Sequence, residues 1–389
     1  MKIYLDNSAT TKIRQEALRK YNEISENIYG NPSSLHEMGF LAEKELERAR
    51  EIIRATVADA RAEVVFTSSG TEANNLAIIG RALSKERYKN TKRKIITTLG
   101  EHSSVSVPIA YLEDLGFKCV AIGTAGGKID TEALMKELTE DVILVSVMMV
   151  NNETGALYNV GEVARLVHTR CPEAAVHVDA TQSYMKVAFT KRSIGADMIT
   201  VSSHKIEGPK GVGALIIDEK LIKTKGIKAL TLGGGQENDL RSGTENVPGV
   251  CAFAEAARLA QAELSASIEY TCALREYLTE KILSDERLSG ISITNPASHA
   301  PHILNITLPA IKSETMLHYL SSLSIYVSSG SACSSNSTHV SSALTAYGRT
   351  EKEADSSIRI SLSKRNTKEE LDALVEGLAS GIARLAKIR

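Results

Sequence analysis

The chain has 389 residues, with 46 Lys+Arg against 47 Asp+Glu, five Cys and 43% apolar residues. At roughly 100–200 residues per domain, that length predicts two or three lobes with room for a buried site, and a formal net charge of −1 gives no long-range pull toward nucleic acid or an anionic membrane. Five scattered cysteines without a CxxC pair argue against a disulfide framework and a cysteine-rich zinc site, so any cysteine that matters acts as a thiol.

The opening MKIYLDNSAT has neither the basic stretch plus apolar core of a secretory signal nor the pattern of a transit peptide. The longest apolar run, Val142 to Val150 with Ser146 inside it, is far short of the roughly 20 residues of a membrane helix. A cytoplasmic chain with no membrane contact is the expectation. Between about residues 60 and 250, short β-rich runs alternate with helical segments. Strands are predicted at Glu63–Thr67, Lys94–Thr98, Lys118–Ile122, Val142–Val147, Ala175–Asp179, Met198–Ser202 and Gly213–Asp218, with helices such as Glu72–Ser84, Ser104–Leu115 and Val160–Thr169 between them. Continuous apolar strands separated by helices imply a mostly parallel sheet covered on both faces, and such sheets bind ligands at the carboxyl ends of their strands.

From Val247 to about Leu283 the pattern is largely helical and Ala-rich. Short strands follow at Ile291–Thr294, His302–Thr307, Ile325–Ser328 and Ser357–Leu362, with helices at Ser313–Ser321 and from Thr367, which suits a smaller α+β lobe. The division drawn is a large domain over residues 16–262 and a small domain made of 1–15 and 263–389, although periodicity alone leaves the first 15 residues open between the two. Ser321–Ser342 holds 11 Ser in 22 residues. Too polar to pack a core, it predicts a mobile loop, about 328–340, around Cys333.

The residues with chemical potential stand at strand ends. VVFTSSGTEANNLAI reads strand, Gly turn and helix, with Gly70 and Thr71 at the turn; backbone N–H groups at a helix start can cup a phosphate, although Ser/Gly/Thr there is also an ordinary cap. His102 in TLGEHSSV and Asn152 in MMVNNETG each follow a strand. A lone His is more often structural than catalytic, but an imidazole there can stack on a planar cofactor and shuttle protons, and the Asn152 amide suits a carboxylate or a ring oxygen. VHVDATQS ends a strand on Asp179 with Gln182 just beyond; Asp179 suits a metal, a helix cap or a pyridinium nitrogen, and the only metal partner at strand spacing, His177, lacks a third ligand. ITVSSHKIEGPKG ends a strand at Ser202, Ser203, His204 and Lys205 before a Gly/Pro turn. Lys205 is either a solvated turn lysine or an amine held in a crevice for Schiff-base chemistry, and Ser202 and His204 add donors for the same phosphate. Arg359, flanked by apolar residues in SSIRISLS, needs an anion, either a substrate carboxylate or a neighbouring Asp or Glu. Cys333, in VSSGSACSSNST, is either a chance surface thiol or a nucleophile on a loop that swings.

In order along the chain, YLDNSATT, GNPSSLHEMG, SSGTEANN, EHSSV, NNETG, HVDATQS, SSHKIEGPKG, RSGTENVPG, SSGSAC and SIRISLS resemble the cysteine desulfurases of the NifS/IscS type, in the class V aminotransferase group of fold-type I enzymes that use pyridoxal 5'-phosphate. The resemblance implies an α/β fold with a mostly parallel seven-stranded sheet in the large domain, and a homodimer. It implies that Lys205 carries the cofactor, Asp179 keeps its pyridinium protonated, and His102 stacks on the ring. Gln182 and Asn152 would contact the phenolic oxygen; Gly70, Thr71, Ser202 and His204, with Thr244 from the partner subunit, would surround the phosphate. Arg359 and Asn152 would receive the carboxylate of L-cysteine, and Cys333 would take the sulfur as a persulfide for an acceptor protein, an iron–sulfur scaffold or a thiolation enzyme. No metal is implied. Selenocysteine lyase chemistry would use much the same site, an aminotransferase would need no loop thiol, and a silent binding homologue would be expected to lack Lys205 or Cys333. Two departures stand out: SLSKR at 361–365 where the resemblance expects a Gly-Arg pair after SL, and NSTHVSSAL after Cys333 in place of an acidic-Pro-Ser sequence.

Overall fold

The computed structural model describes residues 2–86, 93–309, 311–329 and 341–385. Cys333 therefore lies outside the described residues. After a short β1 (Ile3–Tyr4), seven strands form the central sheet: β2 (Glu63–Thr67), β3 (Lys94–Thr98), β4 (Lys118–Ile122), β5 (Val142–Met148), β6 (Ala175–Asp179), β7 (Met198–Ser202) and β8 (Gly213–Ile217). Their order across the sheet is β2-β8-β7-β6-β5-β3-β4. Neighbours from β7 to β4 run parallel, whereas β8 is antiparallel to both β7 and β2. The sheet is thus mostly parallel, as expected, with β8 alone reversed. Only residues 203–212 separate β7 from β8, too few for the helical crossover a parallel return needs.

Strand periodicity sorts the apolar side chains onto two faces. Val145, Val147, Val176, Val178, Ile199, Val201, Ala214 and Ile216 pack in one core with residues of the helices Gln15–Asn27, Glu37–Thr56, Val160–Arg170 and Val247–Ala262. On the other face Ile95, Ile143, Leu144, Met198, Leu215 and Ile217 pack under the helices Gly70–Glu86 and Ser103–Asp114. This is a helix–sheet–helix sandwich. The first two of those helices precede the region where the alternation is read from sequence, and they pack chiefly against the helix Val247–Ala262.

The Ala-rich stretch forms two helices, Val247–Ala262 and Leu264–Ser284, meeting at Glu263. Beyond them, β9 (Ser292–Thr294), β10 (Ile303–Thr307), β12 (Ser328–Ser329) and β13 (Ser357–Ser361) form an antiparallel sheet in the order β12-β13-β10-β9, while β11 (Ile325–Tyr326) pairs in parallel with β1. The single strand predicted at Ile325–Ser328 is therefore two, because β1 takes up the backbone of Ile325 and Tyr326 and β13 that of Ser328 and Ser329. Ser328 and Ser329 are likewise strand rather than part of the expected loop. Ile3 and Leu5 join a separate core with Leu274, Leu304, Ile306, Met316, Ile358 and Leu374. Asp6 bridges to Ser361, so the N-terminal segment runs along the C-terminal sheet before it reaches the ends of the central strands.

Candidate active site

Because β2, β3, β5, β6 and β7 all point the same way, the residues after them gather at one edge of the sheet. They line a single cavity together with Asp6, Ser8, Ala9, Ser328, Ser329 and Arg359. Of the expected residues, Gly70, Thr71, His102, Asn152, Asp179, Gln182, Ser202, His204, Lys205 and Arg359 all border it.

The turn after β7 is tightened into one helical turn, Ser203–Lys205, which carries Lys205 over the strand ends. Its Nζ donates to the carbonyls of Ser8 at 2.6 Å and Ala9 at 2.8 Å, so the N-terminal segment holds the amine in the cleft. His204 contacts Thr10 Oγ1 through Nδ1 at 3.1 Å. Burial, followed by the cations Lys205, Lys186 and Lys210, pushes its pKa down to about 4, leaving a neutral imidazole at neutral pH.

Asp179 ends β6. One carboxylate oxygen accepts the Thr181 N–H at 2.9 Å and the other the Asn74 side-chain amide at 2.8 Å. His102 is the N-cap of the helix Ser103–Asp114; its Nδ1 lies 2.8 Å from Ser104 Oγ and accepts the Ser104 N–H at 3.1 Å. Burial lowers the pKa of His102, with Asp179 raising it and Lys205 lowering it again. His177 is no metal ligand: Ser146 Oγ at 2.8 Å and Thr200 Oγ1 at 2.9 Å occupy its two ring nitrogens inside the sheet.

At the turn after β2 the helix begins at Gly70, two residues earlier than predicted. Glu72 reaches back to the Ser68 N–H at 2.7 Å and is clamped by Arg241 at 2.9 Å, so the turn keeps its shape while the first helical N–H groups stay without an intrahelical acceptor. Across the cavity, Arg359 donates to Asp6 Oδ1 at 2.8 Å and to the Asn152 carbonyl at 3.0 Å. The Asp6 pair is the neighbouring-carboxylate partner considered for it from sequence, yet the buried Nε has no partner among the described residues. Thr244 is not brought to this cavity; it is exposed and borders a separate depression with Thr67, Ser68 and Arg241.

The donor set fits pyridoxal phosphate. A helix N-terminus beside the buried Ser202 Oγ, which has no partner among the described residues, suits the phosphate, Asp179 offers a carboxylate to the ring nitrogen, and the buried Gln182 Oε1, likewise without a partner among the described residues, can bond to a ring substituent. Sequence reasoning missed Ser8 and Ala9, which act through backbone carbonyls, and Asn74 and Ser104, whose side chains meet only after folding. The four described cysteines form no disulfide with one another. Burial pushes Cys119 up to about 11 and Cys251 up to about 12, so neither is a thiolate near neutral pH.

The model of the family described as aminotransferase class-V matches residues 3–374. The chain is 38% identical to a NifS/IcsS protein homolog of Lactobacillus delbrueckii subsp. bulgaricus, over 96% of this chain and 95% of that one. It is 36% identical to cysteine desulfurase IscS 1 of Archaeoglobus fulgidus, over 98% and 97%. Among solved structures, a NifS-like protein superposes with a TM-score of 0.90 at 35% identity, covering 98% of this chain and all of that one. SspA in complex with cysteine gives 0.80 at 28%, over 94% of this chain and 100% of its own.

Proposed function

Because the chain belongs to the class-V aminotransferase family and, within it, to the cysteine desulfurases, we propose that it uses pyridoxal 5'-phosphate to remove sulfur from L-cysteine. Alanine leaves, and the sulfur remains as a persulfide on Cys333 for transfer to an acceptor protein. One observation carries the reading: Lys205, Asp179, His102 and Arg359, from four separate segments, border one cavity beside a helix N-terminus.

Bound there, the cofactor supplies an electron sink next to the amino-acid Cα. Lys205 is the amine that holds it and then carries the Cα proton. Asp179 keeps the ring nitrogen protonated, with both carboxylate oxygens already oriented by N–H donors. Arg359 and Asn152 receive the substrate carboxylate. Cys333 thiolate attacks the substrate sulfur; the new S–S bond forms as the Cβ–S bond breaks, and that bonding pair stays with the carbon skeleton that is protonated to alanine.

The proposal includes a homodimer in the cytoplasm. Tyr29, Leu35, Phe40 and Leu232 are large apolar side chains left strongly exposed in segments 28–41 and 230–244, a pattern that marks an interaction surface, and Thr244 in the second segment is free to serve a neighbouring subunit's phosphate. It also takes residues 1–15 and 263–389 as one small domain, supported by Ile3 and Leu5 sharing a core with Leu274 and Leu374. No described helix is long and apolar enough to cross a membrane.

The test is to mix the cofactor-loaded protein with L-cysteine and a thiol reductant and to measure alanine and sulfide. Equal yields are expected from a protein sedimenting at twice the chain mass. Cys333→Ala should lower sulfide output by about 100-fold or more, and Lys205→Ala should remove the yellow absorption. Undiminished sulfide from Cys333→Ala overturns the persulfide role. Accumulation of a keto acid instead of alanine overturns the desulfurase reading.

A further inference from the structure

Asn74 stands in the first turns of the helix Gly70–Glu86 and is buried to 1% exposure. Its side-chain nitrogen donates twice. One N–H goes to Asp179 Oδ2 at 2.8 Å and the other to Ser104 Oγ at 2.8 Å. The Ser104 hydroxyl lies 2.8 Å from His102 Nδ1. A single amide therefore joins the end of β6 to the cap of the helix Ser103–Asp114, and joins the two residues expected to hold the cofactor ring from its edge and its face.

The direction of every proton in this chain follows from the chemistry of its members. A carboxylate only accepts, so the amide must turn its nitrogen to Asp179. Its second N–H fills an acceptor site on Ser104, which points the hydroxyl proton at His102 Nδ1. That nitrogen also accepts the Ser104 N–H at 3.1 Å, so the ring proton sits on Nε2. The cost is visible: Asn74 Oδ1 is buried with no partner among the described residues. A flipped amide would set Oδ1 against the carboxylate, which explains why the orphan is tolerated.

We propose that Asn74 is a positioning residue that couples the two ring-holding groups, fixing Asp179 as an oriented carboxylate and, through Ser104, His102 as the neutral imidazole with its proton on Nε2. The inference rests on the reading of the cavity as a pyridoxal phosphate site. Apart from Asp179, the charged group acting on His102 is Lys205 in the turn after β7; burial of the ring works in the same direction as the hydrogen bonds to Nδ1.

Two branches leave the amide, so two kinds of variant separate them. Ser104→Ala cuts only the hydroxyl branch, whereas Asn74→Ala and Asn74→Asp remove the donor to Asp179 as well. Nitrogen-15 spectra of the His102 ring in the cofactor-free protein, recorded against pH, should show the Nε2-protonated tautomer in the wild type. All three variants should raise the proton affinity of His102, by about tenfold for Asn74→Asp. Equilibrium dialysis should show cofactor affinity falling tenfold or more for both Asn74 variants and much less for Ser104→Ala. An unshifted His102 in folded Asn74→Asp and Asn74→Ala, or a cofactor affinity as strong as that of the wild type, overturns the coupling. Should Asn74→Asp not fold, Asn74→Ala and Ser104→Ala still decide it. A wild type that binds no cofactor is a different failure, that of the functional reading itself.

Discussion

Glu101, one residue before His102, is buried and accepts the Met148 N–H at 2.8 Å and the Thr98 hydroxyl through one carboxylate oxygen, while the other has no partner among the described residues. Burial, partly offset by these two hydrogen bonds and reinforced by Asp179, pushes its pKa up to about 8 from the ordinary 4.5 of a glutamate. Between those two values the folded chain binds a proton that the unfolded chain releases, so this group's contribution to stability falls as pH rises from about 4.5 to about 8 and is level beyond. Glu101→Gln keeps the accepting oxygen and removes the titration. In the cofactor-free protein the variant should therefore gain on the wild type as pH rises, by a few kcal/mol on the order of magnitude by pH 8, and denaturant melts at pH 5 and pH 8 measure the difference. An equal gap at both pH values would show Glu101 to be ionised throughout. At this scale the sequence is readable where a residue type at a strand end has few uses, as with Lys205 and Asp179. It is silent on Asn74 and Glu101, because an Asn inside a helix and a Glu before a cap are ordinary until burial removes the water that would otherwise satisfy them.

Gly213 opens β8 against the turn that begins the phosphate cup. A Cβ built there would sit 2.5 Å from the Ser69 carbonyl carbon and 2.9 Å from the Gly70 nitrogen, closer than backbone tolerates, so only glycine lets the reversed strand and the cup touch. Gly213→Ala should push the turn outward at a cost of about 1–3 kcal/mol and weaken cofactor binding by a factor of ten or more in equilibrium dialysis. Gly123→Ala, where nothing lies within 4 Å of the added atom, should leave that affinity unchanged; a Gly213→Ala protein that binds equally well would mean the cup does not depend on this contact. The central strands were legible because each is a continuous apolar run, and their ends fall within a residue of the prediction. The reversal of β8 was legible in principle from the shortness of residues 203–212. Pairing was not, and that is where reading failed: nothing local says that Ile325–Tyr326 will be claimed by β1 and Ser328–Ser329 by β13, since the partners lie hundreds of residues and tens of residues away.

At the scale of the whole molecule, residues 3–11 strap its two cores together. Ile3 and Leu5 are buried in the C-terminal core, Asp6 grips Arg359, the Ser8 and Ala9 carbonyls accept from Lys205, and Thr11 bonds to the backbone of His204. Asn7 is the pivot of this strap. Its side chain donates to the Ser361 carbonyl at 2.8 Å and to Asn366 Oδ1 at 3.3 Å, both buried, and it stands between the residue that holds the substrate-side arginine and those that hold the lysine. Asn7→Ala removes both of these buried hydrogen bonds, at about 1–3 kcal/mol together, although the Ser361 carbonyl keeps the residue-7 N–H and Asn366 Oδ1 keeps the Ser363 N–H, and it frees Asp6 to drift from Arg359. The thermal midpoint should fall by several degrees. If Arg359 receives the cysteine carboxylate, KM for cysteine should rise severalfold, with kcat reduced less, because the arginine contributes binding while Lys205 keeps both the Ser8 and Ala9 carbonyls. Steady-state kinetics beside a thermal melt distinguish this from a purely structural role: a lowered midpoint with unchanged KM would mean that the strap holds the cores together without setting the geometry of the site between them.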